Sequence, residues 1–231
     1  MTSGVTPQQA RGLFITLEGS EGCGKSTQAR ILDGWVREAG YGTRLTREPG
    51  GTSAGDRIRH LLQHAPEGHG LCPEAELFLF SASRAQLLHE VIRPELEAGK
   101  MVICDRFHDS TTVYQGVARR MSAETTRGVN SIAVGETLPD ITFLLDMSAE
   151  KAFDRIRGRN LDRMESEPIS FYQAVREGYL KEAALAPDRF VIINAEMCEE
   201  DVASRIRDTL IRRFPELFQL SGDHSGTGRI S

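Results

Sequence analysis

Apolar runs of four or five residues alternate with longer polar stretches of helical spacing between residues 13 and 213. Leu13-Phe14-Ile15-Thr16-Leu17 is β-prone and stops at Glu18-Gly19, which reads as a buried strand. From Lys25 to about Glu38 the apolar positions Ala29, Leu32, Trp35 and Val36 fall at helical spacing, and the pattern ends near Gly40. Further strands are predicted over 42–46, 101–104, 141–145 and 190–193. Helices are predicted from Thr52 or Ser53 to about His64, from Pro73 to about Ala98, over 110–119, 122–133 and 170–185, from Ser148 onward, and up to about Arg213. Pro49-Gly50-Gly51 can continue neither element and is read as a loop. The stretch from His64 to Pro73 reads as a connection, residues 1–10 as a loose arm, and 221–231 as a disordered low-complexity tail.

Strands alternating with helices give βαβ units: an α/β domain with a five-stranded parallel sheet covered by helices on both faces. In such a sheet ligands bind outside the carboxyl ends of the strands. Length adds that 231 residues suit one domain, taken here as 1–231, with enough chain to bury a core. The formal net charge of −5 argues against a general nucleic-acid or membrane-surface binder, so an anion site has to be built locally. No apolar stretch approaches the roughly 18 residues that span a bilayer. The polar start lacks a signal-peptide core, and Cys23, Cys72, Cys104 and Cys198 are scattered. These features together read as reduced thiols in a cytoplasmic protein.

One segment carries specific chemistry. Gly19-Ser20-Glu21-Gly22-Cys23-Gly24-Lys25-Ser26-Thr27 matches G-x-x-x-x-G-K-[ST], and it lies between a predicted strand and a predicted helix. Its glycines let backbone amides wrap phosphate oxygens at a helix N-terminus. Lys25 can reach the β- and γ-phosphates of ATP, and the Ser26 hydroxyl can ligate Mg²⁺. The motif alone means a P-loop nucleotide binder. No guanine-reading Asn-Lys-x-Asp is found, and the Asp-x-x-Gly at Asp223–Gly226 lies in the low-complexity tail rather than after a strand, which argues against a GTPase. His60 and His64 lie four apart without a further ligand and read as surface or packing residues.

Arginines sharpen the picture. Arg47 and Arg106 each follow a predicted strand at the ligand edge, where guanidinium forks suit an acceptor phosphate. The plainer reading is pairing with a nearby carboxylate such as Glu48 or Asp105. Arg155, Arg157, Arg159 and Arg163 crowd a stretch that Gly158 and Asn160 interrupt. Such a run is usually a solvated face, but beside a P-loop it reads as a lid, about 155–167, that closes over ATP.

From about residue 12 to residue 200 the chain resembles thymidylate kinases. The resemblance rests on Leu17-Glu18-Gly19 entering the P-loop, Thr46-Arg47-Glu48-Pro49-Gly50-Gly51-Thr52, and Phe80-Ser81-Ala82-Ser83-Arg84-Ala85-Gln86. It continues with Asp105-Arg106-Phe107 leading to Ser110 and Tyr114-Gln115-Gly116, Pro139-Asp140 leading to Leu145-Asp146, and Leu161-Asp162-Arg163 with Glu165. It implies the P-loop nucleoside-monophosphate kinase fold with a short lid, and transfer of the γ-phosphoryl group of ATP to dTMP, with Mg²⁺, in dTTP synthesis.

The resemblance also implies roles by position. Arg47 and Arg106 hold the dTMP phosphate, Phe80 stacks on thymine and Arg84 meets its carbonyl edge. Ser110 or Thr111 gives another base contact, Tyr114 stands against the 2′ carbon, and Glu21 faces the 3′-hydroxyl. Asp105 and Glu165 join Ser26 around Mg²⁺. One type of the family has an arginine after the P-loop acid; here Gly22 fills that place. The basic residues fall in the lid instead, similar to the bacterial type, so Lys25, Arg157, Arg159 and Arg163 supply the catalytic charge. Phe78 is a rival for the base-facing ring, but Phe80 and Arg84 are four apart and share a helix face. A homodimer is implied, with ATP and dTMP as its partners and neither nucleic acid nor membrane. The rivals are a kinase for another deoxynucleotide or a deoxynucleoside, and a P-loop NTPase switch.

Overall fold

The computed structural model describes residues 11–157 and 167–218. Five strands form one parallel sheet: β1 (Phe14–Glu18), β2 (Thr43–Arg47), β3 (Met101–Asp105), β4 (Ile141–Asp146) and β5 (Phe190–Asn194). Their order is β2-β3-β1-β4-β5. The helices are α1 (Lys25–Glu38), α2 (Ser53–Gln63), α3 (Pro73–Leu87), α4 (Arg93–Glu97), α5 (His108–Thr111), α6 (Ala123–Val134), α7 (Ala149–Ile156), α8 (Ile169–Leu185), α9 (Glu199–Arg213) and α10 (Pro215–Phe218).

Alternation along the strands builds two cores. Ile15, Leu17, Ile103, Phe143 and Leu145 pack on one face with Leu32 and Val36 of α1 and Ile206 and Leu210 of α9. Phe14, Val102 and Cys104 turn to the other face, against Leu87, Leu88 and Ile92. With both faces covered, the central strands need continuous apolar runs, and that is the pattern the sequence has. The chain leaves β1 toward β2 and leaves β3 toward β4, so the connections diverge beside β1 and open a crevice at the carboxyl edge.

Each predicted strand ended one residue short. Glu18, Arg47, Asp105, Asp146 and Asn194 all belong to the sheet. A polar residue ends an apolar run in the sequence, but here the ladder runs on to the edge where polar groups meet ligands. The long helix predicted over 73–98 is broken by a π-helical turn at Leu88–Ile92. Pro94 follows it and has no N–H to continue an α-helical ladder. A second π-helical turn, Thr112–Ala118, continues α5 where one α-helix over 110–119 was expected. The connection before Pro73 contains a 3₁₀ turn at Pro66–Gly70.

At the C-terminal end of the described chain, the Phe218 ring stacks on Trp35 with centroids 5.1 Å apart. All four cysteines are free, with Cys23 and Cys104 buried. Among the described residues no helix is long and apolar enough to cross a membrane.

Candidate active site

A cleft of about 470 Å³ opens at the carboxyl edge, between the loop after β1 and the segments that follow β2 and β3. On one wall the 19–27 loop turns through left-handed backbone at Gly19, Gly22 and Gly24. Two of these positions are closed to side chains. A Cβ on Gly19 would lie 2.6 Å from the Leu145 carbonyl oxygen, and one on Gly22 would lie 2.5 Å from that of Ala152. Helix α1 starts after Gly24, which offers no side-chain cap, and its first turn holds no acid. Its free N–H groups and positive dipole end are therefore left for an anion. Lys25 is buried, and its ammonium donates to the Ser20 carbonyl at 2.6 Å and to Cys23 Sγ at 3.6 Å. The Ser26 hydroxyl donates to the Asp105 carboxylate, which joins this wall to the end of β3.

Arg106 sits opposite in a left-handed conformation, φ 69°, unusual for a residue with a side chain. The turn aims its guanidinium back across the cleft. Nη1 donates to the Gly19 carbonyl (3.0 Å) and Nη2 to Glu21 Oε1 (2.7 Å). Its Cζ lies 5.1 Å from the centre of the Tyr114 ring, and the Tyr114 hydroxyl donates to the Glu21 carboxylate at 2.7 Å. Burial pushes the Tyr114 and Tyr179 hydroxyls well above their ordinary range, so both remain donors.

The turn is anchored from beneath by Glu18, which is fully buried. It accepts from the Phe107 N–H (2.7 Å), the Ser110 hydroxyl (2.7 Å) and the Tyr179 hydroxyl (2.8 Å). Burial, and then the Asp109 charge, raise the Glu18 carboxyl above the usual range. Burial would raise Asp109 too, but His108 and the two-pronged contact from Arg189 hold it well below.

Arg84 forms the floor. It is 1% exposed. Its Nε donates to Glu48 Oε2 (2.7 Å), Nη1 to Asn130 Oδ1 (2.8 Å), and Nη2 to Thr111 Oγ1 (2.8 Å) and the Phe107 carbonyl (3.4 Å). Burial lifts the Glu48 carboxyl to about 7 even though the Arg84 charge pulls it down. Phe80, one turn before Arg84, is half-buried in the cleft wall, whereas Phe78 is 58% exposed and lies outside it.

Most of the residues read from the sequence thus meet in one place: Glu21, Gly22, Gly24, Lys25, Ser26 and Thr27 from the loop, with Arg47, Phe80, Arg84, Asp105, Arg106, Ser110, Thr111 and Tyr114. Gly19, Ser20 and Cys23 do not line the cleft: the Gly19 carbonyl accepts from Arg106, and the Ser20 carbonyl and Cys23 Sγ accept from Lys25. Arg157, exposed at the end of α7, does not line the cleft, and Arg159, Arg163 and Glu165 lie outside the described residues. The ion-pair partners of two arginines are not those of the plainer reading. Arg47 pairs with Asp56 (3.1 Å) rather than Glu48, and Arg106 with Glu21 rather than Asp105. Asn130 and Tyr179 have no local pattern in the sequence and reach the site from distant segments, and Glu18, part of the Leu17-Glu18-Gly19 motif, carries no sequence signal of its anchoring role. Gln115 also lines the cleft and donates to Glu76 at 3.0 Å. It belongs to the Tyr114-Gln115-Gly116 motif of the sequence, which assigned it no role of its own.

The chain matches known proteins over most of its length. A family model described as thymidylate kinase matches residues 17–206. A thymidylate kinase of Dehalococcoides mccartyi is 46% identical over 195 residues, covering 84% of this chain and 93% of the relative. One from Desulfovibrio desulfuricans is 44% identical over 206 residues, covering 86% and 94%. The crystal structure of thymidylate kinase from Ehrlichia chaffeensis superposes with a TM-score of 0.71 at 33% identity, covering 87% of this chain and 98% of that one.

Proposed function

The chain belongs to the thymidylate kinase family, and from that premise we propose how its own residues carry the reaction. The reaction is transfer of the γ-phosphoryl group of ATP to dTMP, giving dTDP and ADP. The observation that carries the residue assignment is one cleft with a P-loop on one wall, a cross-cleft arginine opposite and a donor-only arginine at its floor.

The ATP phosphates lie against the free amides of α1 and the Lys25 ammonium. Ser26 and Asp105 set a hydroxyl and a carboxylate side by side at the cleft wall. Two hard oxygens with room for phosphate and water suit Mg²⁺. When bound, that ion neutralises charge on the phosphate oxygens. The contribution of Glu165 rests on the family resemblance.

Arg106 and Arg47 hold the dTMP phosphate facing the γ-phosphate. To do so, Arg106 exchanges its contacts with Gly19 and Glu21 for phosphate oxygens, and Arg47 leaves Asp56. Phe80 stacks on thymine, Arg84 donates to its carbonyl edge, and Thr111 or Ser110 completes the polar contacts. Tyr114, pinned through Glu21, leaves no room for a ribose 2′-hydroxyl. The attacking phosphate oxygen is already anionic, so positioning and charge suffice without a general base. The lid arginines Arg157, Arg159 and Arg163 supply the remaining charge and shut out water. We further read the chain as one P-loop domain with a lid at about 155–167, acting as a cytoplasmic homodimer, which the family resemblance supports.

The test is ADP release in a coupled assay with Mg-ATP and, in turn, dTMP, dUMP, thymidine, ribo-TMP, dCMP, dGMP and AMP. Strong turnover with dTMP, weak with dUMP, and almost none with thymidine or ribo-TMP is expected. Preference for another acceptor would overturn the base-site assignment, and release indifferent to acceptor would point to an NTPase.

A further inference from the structure

Arg84 is a base-reading arginine only if its guanidinium is held still, and the cleft shows what holds it. A guanidinium has five N–H donors and no acceptor. Four protein contacts occupy Nε, one hydrogen of Nη1 and both hydrogens of Nη2. One Nη1 hydrogen is left, on a side chain that lines the cleft. Of the four contacts, the one with Glu48 alone carries charge, at 2.7 Å between side chains 1% and 3% exposed.

Glu48 is an unlikely choice on grounds of stability. Its second oxygen, Oε1, is buried without a hydrogen-bond partner. A buried ion pair with an unsatisfied oxygen adds little or nothing to folding compared with apolar side chains of the same volume. What the pair does give is a fixed orientation: the Nε contact sets the plane of the fork at the cleft floor. The loop that carries Glu48 is itself fastened to the helix that carries Arg84, because the Gly50 N–H donates to Ser83 Oγ at 3.0 Å.

We propose that Glu48 is a specificity-determining positioning residue: by fixing the Arg84 fork so that a single N–H faces the base, it makes the floor accept a pyrimidine with a carbonyl at position 4 and reject one with an amine there. The proposal rests on the reading of Arg84 as the base contact. Thymine offers an acceptor to that N–H, whereas cytosine offers an N–H₂ donor and leaves both donors unpaired. A fixed donor therefore discriminates, and a fork free to turn away does not.

The experiment measures kcat/KM for dTMP and for dCMP with the full chain, the Glu48→Gln variant and the Arg84→Lys variant, with a melting curve for each. Glu48→Gln keeps the shape and removes the charge. The expected result is a fall of at least about tenfold in the dTMP-to-dCMP ratio for both variants, with the Glu48→Gln loss on dTMP mainly in KM. Equal losses on both substrates in Glu48→Gln would mean a merely structural role and would overturn the proposal. If Arg84→Lys lowers the ratio and Glu48→Gln leaves it unchanged, the proposal falls while the base reading stands. Lysine is also a donor without an acceptor, so the base reading itself is tested with Arg84→Met, which removes every donor: an unchanged ratio there overturns it. Should Glu48→Gln not fold, Glu48→Asp replaces it: it keeps the charge but draws it back by one methylene, the same fall is expected, and an unchanged ratio overturns the proposal.

Discussion

Arg84 and Arg47 stand at the floor and the mouth of one cleft and are held in opposite ways. Arg84 is 1% exposed, and four protein groups fix its fork. Arg47 is about half exposed and makes one ion pair, with an Asp56 side chain that is equally open to solvent. A surface pair of that kind contributes about 0 to 1 kcal/mol, so Arg47 can leave it readily. The floor is organised before any ligand arrives, and the mouth is free to reorganise around one. On the proposed reading the difference has a use: a flat base needs one direction of hydrogen bond, which a fixed fork supplies, whereas a phosphate has oxygens on every side and suits an arginine that can turn.

The contrast can be broken or sharpened by substitution. Lys25→Ala removes the ammonium on the opposite wall and should lower turnover by about 10³-fold or more. The affinity for dTMP, measured by calorimetry, should change little, since floor and mouth remain. Parallel loss of dTMP binding would show that the two walls are one unit.

Arg84→Met leaves Glu48 buried and unpaired, and should cost about 3 to 5 kcal/mol in chemical denaturation. A loss below about 1 kcal/mol would mean that the floor is not pre-organised by this pair.

Glu48 also makes a pH prediction. Its carboxyl is at about 7 in the fold against 4.5 unfolded. A raised value favours the folded state at low pH, in full below 4.5, and that contribution is lost as pH rises through 7. Between about pH 5 and about pH 8, the wild type should therefore lose stability relative to Glu48→Gln, by at most about 3 kcal/mol. Parallel melting-temperature profiles for the two would show that Glu48 is anionic in the fold throughout.

At the mouth, Arg47→Ala should raise KM for dTMP about tenfold and shift stability by no more than about 0.5 kcal/mol. A clear loss of stability there would erase the contrast with Arg84.

Much of this was legible in the sequence. Four apolar runs matched four of the strands, while β2 has Leu45 as its one apolar residue and rests on the β-branched Thr43 and Thr46; the P-loop marked one wall of the cleft outright, because backbone amides need only glycines and spacing. Phe80 and Arg84 were legible together because helical spacing puts them on one face. The supporting partners were not. Glu18 meets Tyr179 across 161 residues, and Arg84 meets Asn130 across 46. No periodicity links such segments, and a buried acid at the end of a strand looks in sequence like the polar residue that stops it. For the same reason Glu18 and Asp105 were left outside strands to which they belong.

Gly22 places a limit on how this chain can change. With its backbone in the left-handed region and the Ala152 carbonyl 2.5 Å from where a Cβ would sit, no side chain fits without moving the loop or α7. The resemblance implies that kinases of the other type carry an arginine at that position, directly after the P-loop acid. Here the route to that arrangement is not a single substitution: α7 has to retreat first, and α7 leads directly into the arginine-rich stretch.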